Sequence, residues 1–381
     1  MKKHLLRLAF INGLLFLSIC IFAQEYSDFY FTRVNGENGL SESNVKAILQ
    51  DSYGFMWFGT KNGLNRYDGT SILQFDCDDL EEGTGNHNIG ALFEDKERNL
   101  WVGTDRGVYI YNPAVDVFKR FKIASSEGIT LDNWVAEILS DSLDNIWVLI
   151  PDQGLFRYKD GKVHHYSLID KDNLKNNNPE CICINEQGEV WVGTSGIGLF
   201  KYNYRDDNFE QYLTDRMGRS LIDKTIISIC FQKENAILGI HEGDLLKYNT
   251  RTDELSEVSF LGEKKTFLRD VMCFGDEIWV GSLHGIFIIN EKENNVIHLK
   301  EDLMRSFSLS DNSIYSIYKD YEGGIWIGTM FGGVNYLPNR ILTFAKYVPG
   351  SDPYSLNTKR IRGLAEDNNG CIWIGTEDNG V

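Results

Sequence analysis

Seven of the chain's eight tryptophans, Trp57, Trp101, Trp147, Trp191, Trp279, Trp326 and Trp373, recur in one local context. The interval from Trp191 to Trp279 is about double the others, and Ile237-Leu238-Gly239 fills it with a degenerate copy. With that copy counted, successive spacings are 44, 46, 44, 46, 42, 47 and 47 residues. A period this regular means an array of like units, and roughly 40 to 50 residues suits one four-stranded blade of a β-propeller.

Each unit reads alike. Val45-Lys46-Ala47-Ile48-Leu49 is a strand that runs into the turn Asp51-Ser52-Tyr53-Gly54. Met56-Trp57-Phe58-Gly59-Thr60 follows, then a second turn closing at Gly63, then Leu64 to Tyr67 and a looser strand around Ile72 to Phe75. Asp opens such a turn by accepting from backbone amides, and Gly supplies the positive φ that closes it. The Trp fills space between neighbouring sheets, and the Gly two residues on admits the adjoining sheet. Asp recurs at 95, 141, 320 and 367, Gly-Thr or Gly-Ser at 103, 193, 281, 328 and 375, and the third-strand Tyr at 111, 158, 202, 248 and 336. Departures cluster in unit three (Leu149-Ile150 for Gly-Thr), unit five (Ile237 for Trp) and unit six (a shortened hairpin at Gly275-Asp276).

A solenoid has the same period, but the chain ends argue for a ring. Tyr30 to Val34 resembles Thr343 to Tyr347, and Phe31 to Phe344 is 313 residues, seven periods of about 45. The extra N-terminal strand then completes the last blade, and closure removes exposed sheet edges. The expected fold class is all-β: a seven-bladed β-propeller of four-stranded antiparallel blades over 29–340. Residues 341–381 begin an eighth unit, the first and incomplete blade of a second propeller, since half a blade leaves its backbone groups unpaired. The composition agrees. At 42% hydrophobic and 13% aromatic, with 36 Gly and only 6 Pro, the chain suits aromatic-rich strands joined by tight turns.

The N-terminus reads as targeting. Lys2, Lys3 and Arg7 precede an uncharged, mostly apolar run from Leu8 to Ala23, sixteen residues against the ~20 a membrane span needs. A basic start, an apolar middle and Ala23 before Gln24 make a secretory signal peptide at 1–23. Its rivals are lipidation of Cys20, against which bulky Ile19 argues, and an uncleaved anchor. Cleavage takes the formal charge from −17 to −20. A surface so acidic repels phosphate backbones and anionic lipid heads, so no nucleic-acid partner is expected. The six other cysteines show no metal-ligand spacing, and Cys181 and Cys183 share one strand face as buried small hydrophobes.

The unit V-x-x-I-x-x-D-x-x-G-x-x-W-x-G-T-x-x-G-L-x-x-Y, carried most completely by Val45 to Tyr67 and Ser313 to Tyr336, resembles the two-component regulator propeller repeat. That resemblance covers nearly the whole chain past residue 23. It implies the periplasmic sensor half of a hybrid two-component system. In that family two seven-bladed propellers precede a β-sandwich, a transmembrane helix and a histidine kinase core. The resemblance further implies an oligosaccharide ligand, a homodimer formed through the full ectodomain, and a membrane anchor through a downstream helix.

Chemistry in the chain itself is sparse. Neither H-x-x-x-H nor H-E-x-x-H occurs, the adjacent His164 and His165 point to opposite faces of a strand, and there is no G-x-S-x-G or P-loop. No cofactor, metal site or catalytic residue is expected. The residues just before each first strand, Asn44, Asn88, Trp134, Asn178, Thr225, Leu268 and Ser313, form a mostly polar ring. Trp134, the one tryptophan outside the repeat position, is a candidate platform for stacking a sugar. Lys61, Asn62, Asp105, Arg106, His284, Met330 and Phe331, in second-to-third-strand loops, belong to the same face and vary where the scaffold repeats. The seven repeated tryptophans are structural. Two other readings stay open: a secreted propeller enzyme acting on polysaccharide, a lyase or glycosidase whose carboxylates come from distant blades, and a structural protein-interaction propeller.

Overall fold

The computed structural model describes residues 29–75, 88–122, 124–125, 128–168, 178–212, 214–259, 266–303, 305, 307–339, 349, 356, 358 and 360–377. The expected signal peptide at 1–23 lies outside these residues, as do Cys77, His87 and the stretch 343–347. Regular structure is almost entirely strand.

Strand β1 (Thr32–Val34) precedes the first unit, made of β2 (Val45–Gln50), β3 (Met56–Thr60), β4 (Gly63–Tyr67) and β5 (Ile72–Phe75). The second unit holds β6 (Ile89–Glu94), β7 (Leu100–Thr104), β8 (Gly107–Asn112) and β9 (Val117–Arg120). The third holds β10 (Glu137–Ser140), β11 (Ile146–Ile150), β12 (Gly154–Lys159) and β13 (Lys162–Tyr166). The fourth holds β14 (Pro179–Ile184), β15 (Val190–Ile197), β16 (Leu199–Asn203) and β17 (Asn208–Tyr212). The fifth holds β18 (Ile222–Gln232), β19 (Asn235–Ile240), β20 (Leu245–Asn249) and β21 (Glu254–Glu257), and the sixth β22 (Leu268–Phe274), β23 (Glu277–Ser282), β24 (Gly285–Asn290) and β25 (Asn295–Leu299). Then come β26 (Ile314–Lys319), β27 (Ile325–Thr329) and β28 (Val334–Leu337), and after them β29 (Ile361–Glu366) and β30 (Ile372–Thr376).

Within each unit the strands pair antiparallel in chain order, and β1 supplies the outer strand for β26–β28, with Thr32 opposite Tyr336 and Val34 opposite Val334. Units four and five are further joined where the long β15 pairs with β18. First strands lie side by side in sequence: β2 on β6, β6 on β10, β14 on β18, β18 on β22, β22 on β26, and β26 back on β2. The third and fourth units meet through β11 and β14, and through Glu137, whose Oε2 accepts from the Ile182 amide at 2.8 Å.

The repeat motif has a mechanical reading. Asp51 Oδ1 accepts from the amides of Tyr53 and Phe55 and so makes the turn, while its Oδ2 accepts from Trp57 Nε1 at 2.7 Å. The same indole-to-carboxylate bond recurs at Trp101–Asp95 (2.8 Å), Trp147–Asp141 (3.0 Å), Trp326–Asp320 (2.8 Å) and Trp373–Asp367 (3.0 Å). Four of the hooked rings then pack on the third-strand Tyr of the next unit round: Trp57 on Tyr111 (5.7 Å between centroids), Trp101 on Tyr158 (5.5 Å), Trp147 on Tyr202 (4.8 Å) and Trp326 on Tyr67 (6.1 Å). Aromatic edges and faces at such separations attract beyond their area burial. Gly59 and Gly103 admit the neighbour as read from sequence: a Cβ on Gly59 would lie 2.6 Å from Ile89, and one on Gly103 2.6 Å from Val135.

Six of the repeated tryptophans are buried. Trp373 is not: it is 55% exposed, with Leu364 and Ile372 of the same hairpin also open. Among the described residues β29 and β30 pair only with each other.

Candidate functional site

The first-to-second-strand turns hold the Asp hooks, and the second-to-third-strand turns lie at the opposite end of each sheet. There the repeated Thr or Ser is the lock. Thr60 Oγ1 donates to Gly63 O at 2.9 Å and accepts from the Asn62 amide, Thr104 does the same with Gly107 and Arg106, and Ser282 with Gly285 and His284. The loop residues therefore project from stiff turns. Main-chain bonds pin each turn to the residue ahead of a first strand: Lys61 N to Asn44 O, Asp105 N to Asn88 O, Ser195 N to Asn178 O, Met330 N to Ser313 O.

One ring position slips. In unit six the matching bond runs from Leu283 N to Phe267 O, and Leu268 pairs with Ser282 as Val45 pairs with Thr60. Phe267 is thus the exposed ring residue, whereas Leu268 is fully buried. Its short hairpin removes the turn from which the frame was counted.

The other predicted residues divide by environment. Lys61, Asn62, Asp105, Arg106, His284 and Phe331 are exposed, and Met330 is half-buried. His284 Nδ1 lies 2.6 Å from Thr266 Oγ1, and Phe331 N donates to Asp311 Oδ2. Asn178 Nδ2 reaches Asp152 Oδ1 at 3.5 Å. Asn44 and Asn88 each keep a buried side-chain Oδ1 with no partner among the described residues, and a buried acceptor left so is the exception in folded proteins. Trp134 is half-buried and lies against Gly90, where a Cβ would meet the indole at 2.6 Å.

Three residues that sequence reasoning passed over complete this face. Every first strand except β10 carries a bulge, at its second residue in all but the long β18, where it falls at the sixth: Lys46, Gly90, Glu180, Ile227, Arg269, Tyr315, and Arg362 in β29. A bulge re-aims a side chain that strict alternation assigns elsewhere. Lys46 Nζ consequently stands 4.6 Å over the Trp134 ring from unit three and 5.9 Å from the Tyr315 ring, while Arg269 lies 5.7 Å over Tyr315. One side chain reaching rings on both flanking sides of the array marks the axis. Burial chiefly, with the Lys61 and Arg269 cations, lowers the Lys46 ammonium pKa, and Asp105 and Glu42 oppose this. Burial and Asp152 raise the Glu180 carboxyl.

One residue further along, Glu137 and Asp270 are half-buried carboxyls, and the Asp270 charge acts on Glu137. Burial pushes Glu137 up to about 8, against the bond from Ile182 N, and pushes Asp270 up to about 6, against bonds from Ile317 N and Ser228 Oγ. Both are engaged by neighbouring main chain. Among the described residues no group of three His, Cys, Asp or Glu side chains is placed to hold a metal ion, and no helix is long and apolar enough to cross a membrane. Two concavities lie outside the ring positions: a 670 Å³ groove between units two and three lined by Asp95, Lys96 and Asp144, and a 380 Å³ hollow beside β1 lined by Tyr30, Phe307 and His298, whose Nε2 is 2.7 Å from His284 O.

Four-stranded antiparallel sheets in series, with first strands packed side by side around a shared axis, define a β-propeller protein. The chain carries the repeat of the two component regulator propeller family, whose model matches residues 39–62, 83–106, 308–331 and 355–378. Its fold is similar to the extracellular domain of the putative hybrid two component system BT3049 from B. thetaiotaomicron, with a TM-score of 0.71 and 25% identity over 91% of this chain and 47% of that one. The extracellular domain of BT4673 from the same organism shares the fold at a TM-score of 0.69 and 21% identity, covering 91% of this chain and 51% of that one. A 54-residue segment is 46% identical to histidine kinase P4 of Formosa agariphila, covering 14% of this chain and 4% of that protein. The chain thus spans about half the length of the solved relatives and a small part of the kinase.

Proposed function

We propose that residues 29–340 form a closed seven-bladed propeller serving as a ligand-sensing module of a hybrid two-component system, outside the cytoplasm, with 341–381 opening a second propeller. Main-chain pairing of β1 with β28 and the packing of β26 on β2 support closure. The family repeat, with the likeness to the extracellular domain of a hybrid two component system, is the observation that carries the functional reading. A Cys230–Cys273 disulfide supports an oxidising compartment, and hence export by the segment at 1–23.

In this reading the chain is not itself an enzyme. It recognises an oligosaccharide released from a glycan, and a kinase carried by other sequence reads out the change. A ligand signals only by binding one arrangement of the ectodomain homodimer better than the other. The test is autophosphorylation of the full-length gene product in lipid nanodiscs, across a panel of polysaccharide digests. Stimulation by one digest, with the sugar recovered intact, is the expected outcome. A shortened sugar would mean a glycan-cleaving enzyme, and a silent panel together with a stably co-purifying protein would mean an interaction propeller.

A further inference from the structure

We propose that the axial mouth formed by Lys46, Lys61, Arg269, Trp134 and Tyr315 binds the single acidic group of a short oligosaccharide, a uronate or sulfated sugar. The inference rests on the oligosaccharide-sensing reading above and names the ligand class for it.

Charge is the first argument. The chain carries a formal −17, yet none of the Lys46, Lys61 and Arg269 side chains forms an ion pair among the described residues. Lys46 and Arg269 instead converge on aromatic rings at the axis, and each sits over Tyr315. Neighbouring cations with no ion-pair partner, one of them (Lys46) half-buried, are costly unless a bound anion completes them. The depressed Lys46 ammonium, with Lys61 and Arg269 among its causes, agrees with that crowding.

The neutral groups narrow the ligand. Trp134 and Tyr315 offer flat apolar faces, and Gly90 clears the space the indole needs. An anion and an apolar C–H face on one small molecule fit an acidic sugar. Opposing charges limit its number of acids: Asp105 and Glu42 act on Lys46 from the same side, and Glu180 with Asp152 holds the other side of the ring. One anionic group fits there, and a polyanion is repelled.

The test titrates the 381-residue chain with aldotetraouronic acid, which has one glucuronate, with neutral xylotetraose, and with sodium glucuronate, by calorimetry and tryptophan fluorescence. We expect both acidic probes to bind, xylotetraose not to, and binding to weaken with added salt. Lys46→Met and the exposed Arg269→Gln should each weaken binding by about tenfold or more, and Trp134→Leu should abolish the fluorescence change. Melting curves accompany each variant; if Lys46→Met does not fold, Arg269→Gln decides. Neutral and acidic sugars binding equally, or acidic sugar binding that ignores both charge variants, overturns the acidic-ligand inference and leaves the sensor reading standing. No binding of either acidic probe also overturns it, and only a silent result in the nanodisc kinase assay as well counts against the sensor.

Discussion

The boundary between units one and two and the boundary between units five and six solve one packing problem with different parts. At the first, Asp51 anchors the Trp57 indole, which meets Tyr111 of the next unit. At the second, both halves of that aromatic pair are missing: Ile237 stands at the Trp position, and Ile289 stands where units one to five have Tyr; unit seven has Leu337 there, its Tyr336 lying one residue earlier opposite Trp326. The two isoleucines share one buried cluster with Leu268, Val271 and Val280, and within it Cys230 of β18 is bonded to Cys273 of β22. Unit six also lacks the Asp turn, and Trp279 Nε1 donates to Glu277 instead. The repeated motif is therefore not required at each boundary. A dispersion-packed aliphatic cluster plus a covalent tie can take its place, because neighbours in such an array need only a filled, dry contact.

That contrast can be broken most forcefully at Trp147, which is fully buried and hooked to Asp141. Trp147→Ala should cost about 3–5 kcal/mol in urea unfolding, against about 2–5 for Ile237→Ala. Equal losses would show that the aromatic pair adds nothing beyond burial. Next comes the tie. Cys273→Ala, or reduction of the wild type, should lower stability by about 2–4 kcal/mol, and reductant should leave the variant's melting unchanged. A wild type indifferent to reductant would mean that the aliphatic cluster suffices alone.

Burial makes pH a third probe, at the boundary of units three and four. Because folding raises Glu137 to about 8, the folded chain keeps a proton that the unfolded chain has lost. Stability should therefore fall as pH rises from the unfolded carboxyl range to about 8 and then level off. Glu137→Gln retains an acceptor for Ile182 N and should flatten that slope, gaining about 1–3 kcal/mol near pH 8. Asp270, raised to about 6, adds a second slope ending lower, so the double variant with Asp270→Asn should be flatter still. The smallest effect belongs to the hook. Asp51→Asn keeps the turn acceptor but loses the acceptor for Trp57, costing about 0.5–1.5 kcal/mol by thermal melting. Unit four already has Asn185 there, with its Nδ2 donating to Glu189, which sets the scale for what the fold tolerates.

Much of this architecture was legible in sequence because its signals are local. The Asp-to-Trp spacing, the Gly under the neighbouring strand and the Thr that locks the next turn each act within a few residues, so periodicity exposed them. The candidate face was legible in part: the loops around Lys61, Asp105 and Met330 were placed by counting strands. Lys46, Arg269 and Tyr315 were not, since alternation gives no sign that a bulge will turn the second residue toward the axis. The Cys230–Cys273 bond was missed for a related reason. Its partners are 43 residues apart and nowhere near each other in sequence. They meet only because one repeat length brings equivalent strands side by side. Phe267 escaped through the short hairpin of unit six, which shifts the frame by one residue.

By itself the sequence determined the all-strand units, their length and their internal turns, because hydrogen bonding and φ preferences are settled over a handful of residues. Tertiary structure alone decided which cations and rings face one another at the axis. Those groups come from units far apart in the chain, and only stacking of the sheets, with a bulge in each first strand that supplies one of those cations or Tyr315, converts that distance into contact.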